Sequence, residues 1–143
     1  MAAEYSAILP QTVAENSNIV FLDGDRACKK GYITHRSGSG VFRLKGAGNA
    51  CKTVYRVTFN ANIAVAEGGT VGAISVALQE DGETLQNAVA TVTPTVAETF
   101  FNVSLTTFIT IPCGCCVTVS VENISDGTAI DVTNSNIIFD RVA

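Results

Sequence analysis

Tyr55-Arg56-Val57-Thr58-Phe59-Asn60-Ala61-Asn62-Ile63-Ala64-Val65 is the stretch that decides the fold. Its odd-numbered positions are all apolar, and Arg56, Thr58, Asn60 and Asn62 separate them. A period of two puts one row of side chains on one face of an extended chain and the other row on the opposite face. Wound as a helix, the same apolar residues would spread around the whole circumference, and the Thr, Val and Asn content disfavours that winding. The segment reads as a long strand with one buried face.

The same alternation continues downstream. Ile74, Val76 and Leu78 alternate with Ser75, Ala77 and Gln79, and the run ends in Glu80-Asp81-Gly82-Glu83. Asp-Gly between two alternating runs predicts a hairpin, because a type I′ turn needs positive φ at both central residues. The return strand runs from about Leu85 to Thr93 and stops at Pro94, which has no N–H for a central ladder. A second long strand spans about Thr99 to Ile111. Phe101, Val103, Leu105, Thr107, Ile109 and Ile111 share one face, and Phe100, Asn102, Ser104, Thr106, Phe108 and Thr110 share the other. After Pro112-Cys113-Gly114, the run from Cys115 to Glu122 resumes with Val117, Val119 and Val121 in register. Asp126-Gly127 marks a turn. The chain then reads as strands Ala129–Val132 and Ile137–Val142 bridged by Thr133-Asn134-Ser135-Asn136.

The first fifty residues are less regular, with short strand candidates at Asn18–Leu22 and Val41–Lys45 and loops at Gly31–Gly40 and Gly46–Cys51. No segment reads as a helix. About eight strands at roughly ten-residue spacing predict an all-β, antiparallel two-sheet sandwich, and strands of this length suit a jelly roll better than an immunoglobulin-type fold. Residues 1–143 read as one domain, with 1–50 an irregular part available as an anchor.

Composition narrows the function. The 143 residues are 47% hydrophobic and 15% charged, with a net charge of −4. Such a chain is not disordered, and nine Lys and Arg against thirteen acids make a poor nucleic-acid binder. No apolar run is long enough for a membrane helix, and Met1–Ser6 lacks the basic start of a secretory signal. The expectation is a soluble product made in a cytoplasm, with no membrane partner.

From about Val41 onward, four stretches carry a resemblance: Tyr55–Asn62, Ile74–Gly82, Val117–Asn123 and Ile137–Val142. Together they form a long Y-x-V-x-F strand, an A-L-x-x-D-G hairpin, a V-x-V-x-N strand and a final strand. This order resembles the jelly roll of the tumour necrosis factor and complement-type superfamily. Within it, the chain is similar to the bacterial and phage branch that includes the C-terminal domain of the exosporium nap glycoprotein. It has no collagen-like Gly-X-Y stalk, and Pro112–Cys116 is not a feature of that branch. The layout also looks like that of small phage and prophage proteins.

The resemblance implies a homotrimer, TNF-like in fold, that works by presentation and binding. The expected function is a non-enzymatic structural protein decorating or extending a phage virion. It would be made in the host cytoplasm, with other virion or surface-particle proteins as partners. The alternative is a glycan- or receptor-binding module at a bacterial or phage surface. The residues point the same way. Phe100 and Phe108 lie on the face opposite the core row, and two exposed rings on a strand are an aggregation hazard unless an interface or a covering loop buries them. They are the expected trimer contacts.

Candidates for chemistry are few. His35 is the single imidazole, and beside Arg36 in a Gly- and Ser-rich stretch it reads as solvated surface. The carboxylates Asp23, Asp25, Glu80, Asp81, Glu83, Asp126 and Asp131 fall mainly at turns, where they bond local backbone. Asp23-Gly24-Asp25 resembles the start of a calcium loop but lacks its later ligands. No catalytic residue, cofactor or metal site is expected.

The cysteines are Cys28, Cys51, Cys113, Cys115 and Cys116. Five is odd, so a fully paired intramolecular set is impossible, and each is open as thiol or disulfide. Cys28 with Cys51 is the first pairing to test, because both lie in loops. Lys29, Lys30, Arg36, Arg43 and Lys45 gather five of the nine cations into one short region. They read as a docking surface for an acidic partner or as ordinary solvated residues.

Overall fold

The computed structural model describes residues 2–24, 26–28, 31–46, 52–113 and 116–143. Two long strands dominate it: β6 (Lys52–Val65) and β9 (Phe101–Pro112) pair antiparallel, with Phe59 opposite Leu105 and Tyr55 opposite Ile109. The alternation of the sequence is the alternation of burial. Tyr55, Val57, Phe59, Ala61 and Ile63 are completely buried, and Val103, Leu105, Ile109 and Ile111 face them from β9. Phe101 departs from its row. It opens β9 opposite the buried Ile63 and is itself 41% exposed.

Among the described residues, eleven strands build two antiparallel sheets. The other nine are β1 (Ala2–Ala7), β2 (Gln11–Val13), β3 (Leu22–Asp23), β4 (Ile33–His35), β5 (Val41–Leu44), β7 (Ile74–Glu80), β8 (Glu83–Val92), β10 (Val117–Asn123) and β11 (Ile130–Arg141). One sheet has the order β3-β1-β11-β6-β9, with β2 also pairing β11. The other has the order β4-β5-β10-β7-β8. The described residues contain no helix. Between the sheets lies one core that includes Tyr5, Phe21, Phe42, Phe59 and Phe139. The chain passes back and forth between the two layers: β1–β3 lie in the six-stranded sheet, β4 and β5 in the other, β6 in the first, β7 and β8 in the second, and β9, β10 and β11 then alternate, as in a jelly roll.

The hairpin expected at Asp81-Gly82 joins β7 to β8, with φ of 52° and 84° at the two turn residues. Both values lie in the left-handed region that a type I′ turn requires. Asp81 also accepts the backbone N–H of Thr118 at 2.9 Å, fastening the turn to β10.

Two readings of the sequence are corrected. Residues 133–136 do not separate two strands. They form a bulge within β11, where the pairing to β6 shifts between Thr133 and Asn136 and Asn134 takes a φ of 52°. An Asn at positive φ followed by polar residues looks like a loop in sequence, yet a bulge needs the same conformation without ending the strand. The first fifty residues are not merely irregular: β1 through β5 lie there and enter both sheets. β1 pairs β11 over six residues and buries Ala3, Tyr5 and Ala7. The segment before β3 places Ile19 and Phe21 in the core, and Gln11 holds it through paired hydrogen bonds to the Val20 backbone at 3.0 and 3.1 Å. Asn123, fully buried, donates to the carbonyls of Val13 and Thr128 and accepts the N–H of Ser125. A buried amide satisfied three times is a specific fastening between β2 and the turn before β11.

Candidate functional site

The outward face of the six-stranded sheet is the candidate surface. Residues paired across adjacent strands share a face, so the register gives its rows. Phe108 lies opposite Arg56, Arg56 opposite Asp140, and Asp140 opposite Ala2. The next row holds Thr106, Thr58, Ile138 and Glu4, and the one after it Ser104, Asn60, Asn136 and Ser6, with Leu22 beyond Ser6. The centre of the face is thus mostly polar, interrupted by Ile138 on β11. Arg56 pairs with Asp140 at 2.7 Å, and Arg26 with Glu4 at 3.0 Å. Hydrogen bonding from Asn136, aided by Arg26, holds the Glu4 carboxyl below its ordinary value.

The apolar surface sits at the two edges. On β9, Phe108 is 62% exposed and Phe100, just before the strand, is 43% exposed, with Phe101 beside it. The structure therefore places Phe100 and Phe108 in solvent, on the face that the alternation assigns them. No loop among the described residues covers them. At the opposite edge, Ile8, Leu9, Val20 and Leu22 are also exposed, and with Ser6 and Asp23 they line a groove of about 580 Å³. That second patch has a weak signal in the sequence. Ile8-Leu9-Pro10 is a short apolar run outside any alternation, and only the fold brings it beside Val20 and Leu22.

His35 is the largest correction. Its side chain is 1% exposed, not solvated. The ring stacks on Phe42 with centroids 4.2 Å apart at 13° and meets Tyr5 edge-on at 4.9 Å. Nδ1 lies 2.5 Å from Asp23 Oδ1, and Nε2 lies 2.8 Å from the Ser39 carbonyl. That carbonyl is fixed in turn by the Phe21 N–H at 3.1 Å. The turn packs closely enough that a Cβ on Gly40 would stand 2.7 Å from both Asn18 Cβ and the Ile19 carbonyl oxygen. Ile33 and His35 share a parity on β4, so burial of Ile33 was the local sign that His35 also points inward.

Asp23 Oδ1 meets the His35 ring, and Asp25 of the Asp23-Gly24-Asp25 stretch lies outside the described residues. Among the described residues, no cluster of His, Cys, Asp or Glu is placed to hold a metal. Burial raises the Tyr5 and Tyr55 phenols above their ordinary value, and their hydroxyls are engaged by the Cys28 N–H and the Lys45 carbonyl.

Cys28 and Cys113 are free thiols, so Cys28 does not form the pairing with Cys51 that was first to test. Cys116 is disulfide-bonded, while Cys51 and Cys115 lie outside the described residues. Of the five clustered cations, Lys29 and Lys30 also lie outside them. Arg36, Arg43 and Lys45 are on or beside the β4–β5 edge of the five-stranded sheet. Arg43 Nη2 lies 3.1 Å from Cys116 Sγ.

No protein-family model matches the chain, and no curated protein matches it in sequence. Among solved structures it is similar to Eiger TNF from S. frugiperda. The TM-score is 0.71 at 14% identity, over 100% of this chain and 92% of that one. The likeness establishes a TNF-like jelly roll.

Proposed function

We propose that this chain is a non-enzymatic structural module that works as a homotrimer, in which one outward edge of the six-stranded sheet docks on the other edge of the next copy. The observation that carries this is the pair of unlike apolar patches, the phenylalanines on β9 and the Ile8–Leu22 groove, on one face with a polar centre between them. Unlike patches make heterologous contacts, and heterologous contacts close into a ring when the rotation permits. The TNF-like fold supports three as the number that closes it. The resemblance of the sequence to small phage proteins supports a trimer that decorates a virion or similar particle.

Sedimentation equilibrium tests the assembly. The expected mass is three times the 14.9 kDa chain, and Phe108→Glu is expected to give a folded single chain. A wild-type monomer at micromolar concentration overturns the proposal. Mass spectrometry of purified virions tests the particle: the protein should be present at fixed stoichiometry to the shell protein, and its absence removes the decorating role.

A further inference from the structure

His35 joins the two sheets at their borders. β3 is the edge of the six-stranded sheet and β4 the edge of the five-stranded one, so the contact between His35 Nδ1 and Asp23 spans the open side of the sandwich. Each ring nitrogen faces an oxygen, Nδ1 the carboxylate and Nε2 the Ser39 carbonyl. An ionised carboxylate and a carbonyl can only accept. A neutral imidazole has one N–H and makes one of these bonds; the doubly protonated ring makes both. We propose that His35 and Asp23 form a proton-dependent clasp that holds the β3 and β4 edges together while the ring carries both protons and loses one of its two anchors when a proton leaves.

The surroundings leave the choice to these groups. From β1, Tyr5 presents its ring edge, and its hydroxyl is turned to the Cys28 N–H at 3.2 Å. From β5, Phe42 presents only a hydrocarbon face. Within the following turn, Arg36 is exposed, and Ser37 Oγ accepts the Asp23 N–H at 3.3 Å. Asp25 lies outside the described residues. Asp23 keeps 37% of its side chain in water, so the pair is not a charge sealed in the core.

The clasp holds both anchors while the ring carries two protons and the carboxylate none, so the stability it contributes falls when the ring gives up a proton as pH rises.

Thermal unfolding from about pH 5 to about pH 8, with ring-nitrogen NMR on the wild type, tests the clasp in the wild type, His35→Gln and Asp23→Asn. The wild-type midpoint should fall as pH rises, while the ring passes from two protonated nitrogens to one over the same range. In Asp23→Asn the amide can donate to the unprotonated Nδ1, so the neutral ring keeps both contacts and the fall should flatten. His35→Gln, with no imidazole, should be flat as well. If His35→Gln does not fold, Asp23→Asn and the NMR titration decide alone. A flat wild-type profile, a fall unchanged in Asp23→Asn, or a ring with only one proton at the acid end would overturn the proposal.

Discussion

The sandwich has two open sides, and they are finished in different ways. Where β3 meets β4, the chain closes the gap with its own groups: His35 bridges Asp23 and Ser39 between the rings of Tyr5 and Phe42. Where β9 meets β8, a side-chain hydrogen bond from Asn87 to Thr107 at 3.4 Å accompanies the packing, and Phe108 projects from the outer face. One side is satisfied within the chain. The other presents apolar surface to water, which the proposed assembly would cover with a second copy.

The largest effect should come from the finished side. Phe42 is fully buried and contacts Tyr5, Phe21, His35 and Phe139. Phe42→Ala should cost about 3–5 kcal/mol of unfolding free energy in urea titration. A loss under about 1 kcal/mol would mean that this side is not held by ring packing. Next is His35→Ala, which strips one bond from the Ser39 carbonyl and leaves Asp23 unpartnered by the ring. About 1–3 kcal/mol should be lost, the cost of unmaking a buried polar contact. A neutral outcome would break the comparison, because the two sides would then be equally unfastened.

On the other side, Phe108→Glu should change the stability of the single chain, measured at concentrations too low for association, by no more than about 0.5 kcal/mol. The same variant should abolish assembly, and that separation of folding from association is what distinguishes the two sides. The smallest effect concerns neither side. Burial, with Asp81 beside it, raises the Glu80 carboxyl above its ordinary value. A carboxyl raised by folding favours the protonated form, so its contribution is better at acid pH and declines as pH rises. Glu80→Gln should therefore stabilise the chain slightly at neutral pH, by about 0.5 kcal/mol or less, and the gain should vanish on acidification.

The legibility of the chain follows the same division. β6, β9 and the Asp81-Gly82 hairpin could be read because each signal is local: alternation lies within one segment, and a turn needs two residues. β1 was missed because two of its three buried positions are Ala3 and Ala7, too small to stand out beside Tyr5. The bulge in β11 has the residue chemistry of a loop. His35 was misread because its burial is produced by Tyr5 and Phe42, partners from other strands, and by an acceptor on β3. Phe100 and Phe108 were legible as an exposed pair, whereas the groove that would receive them gathers residues from two separate stretches.

The central claim is that two unlike patches meet between copies, and cross-linking asks it directly. Leu22 and Phe108 lie on opposite edge strands, four strand spacings apart, so at least about 19 Å separates them within one chain. A disulfide needs Cα atoms within about 7 Å. In a Cys28→Ser/Cys113→Ser background, which removes the free thiols of the described residues, the Leu22→Cys/Phe108→Cys variant should oxidise to a ladder ending at three chains, while each single variant stays uncross-linked. A double variant that stays a single chain, or single variants that cross-link like to like, would contradict the claim.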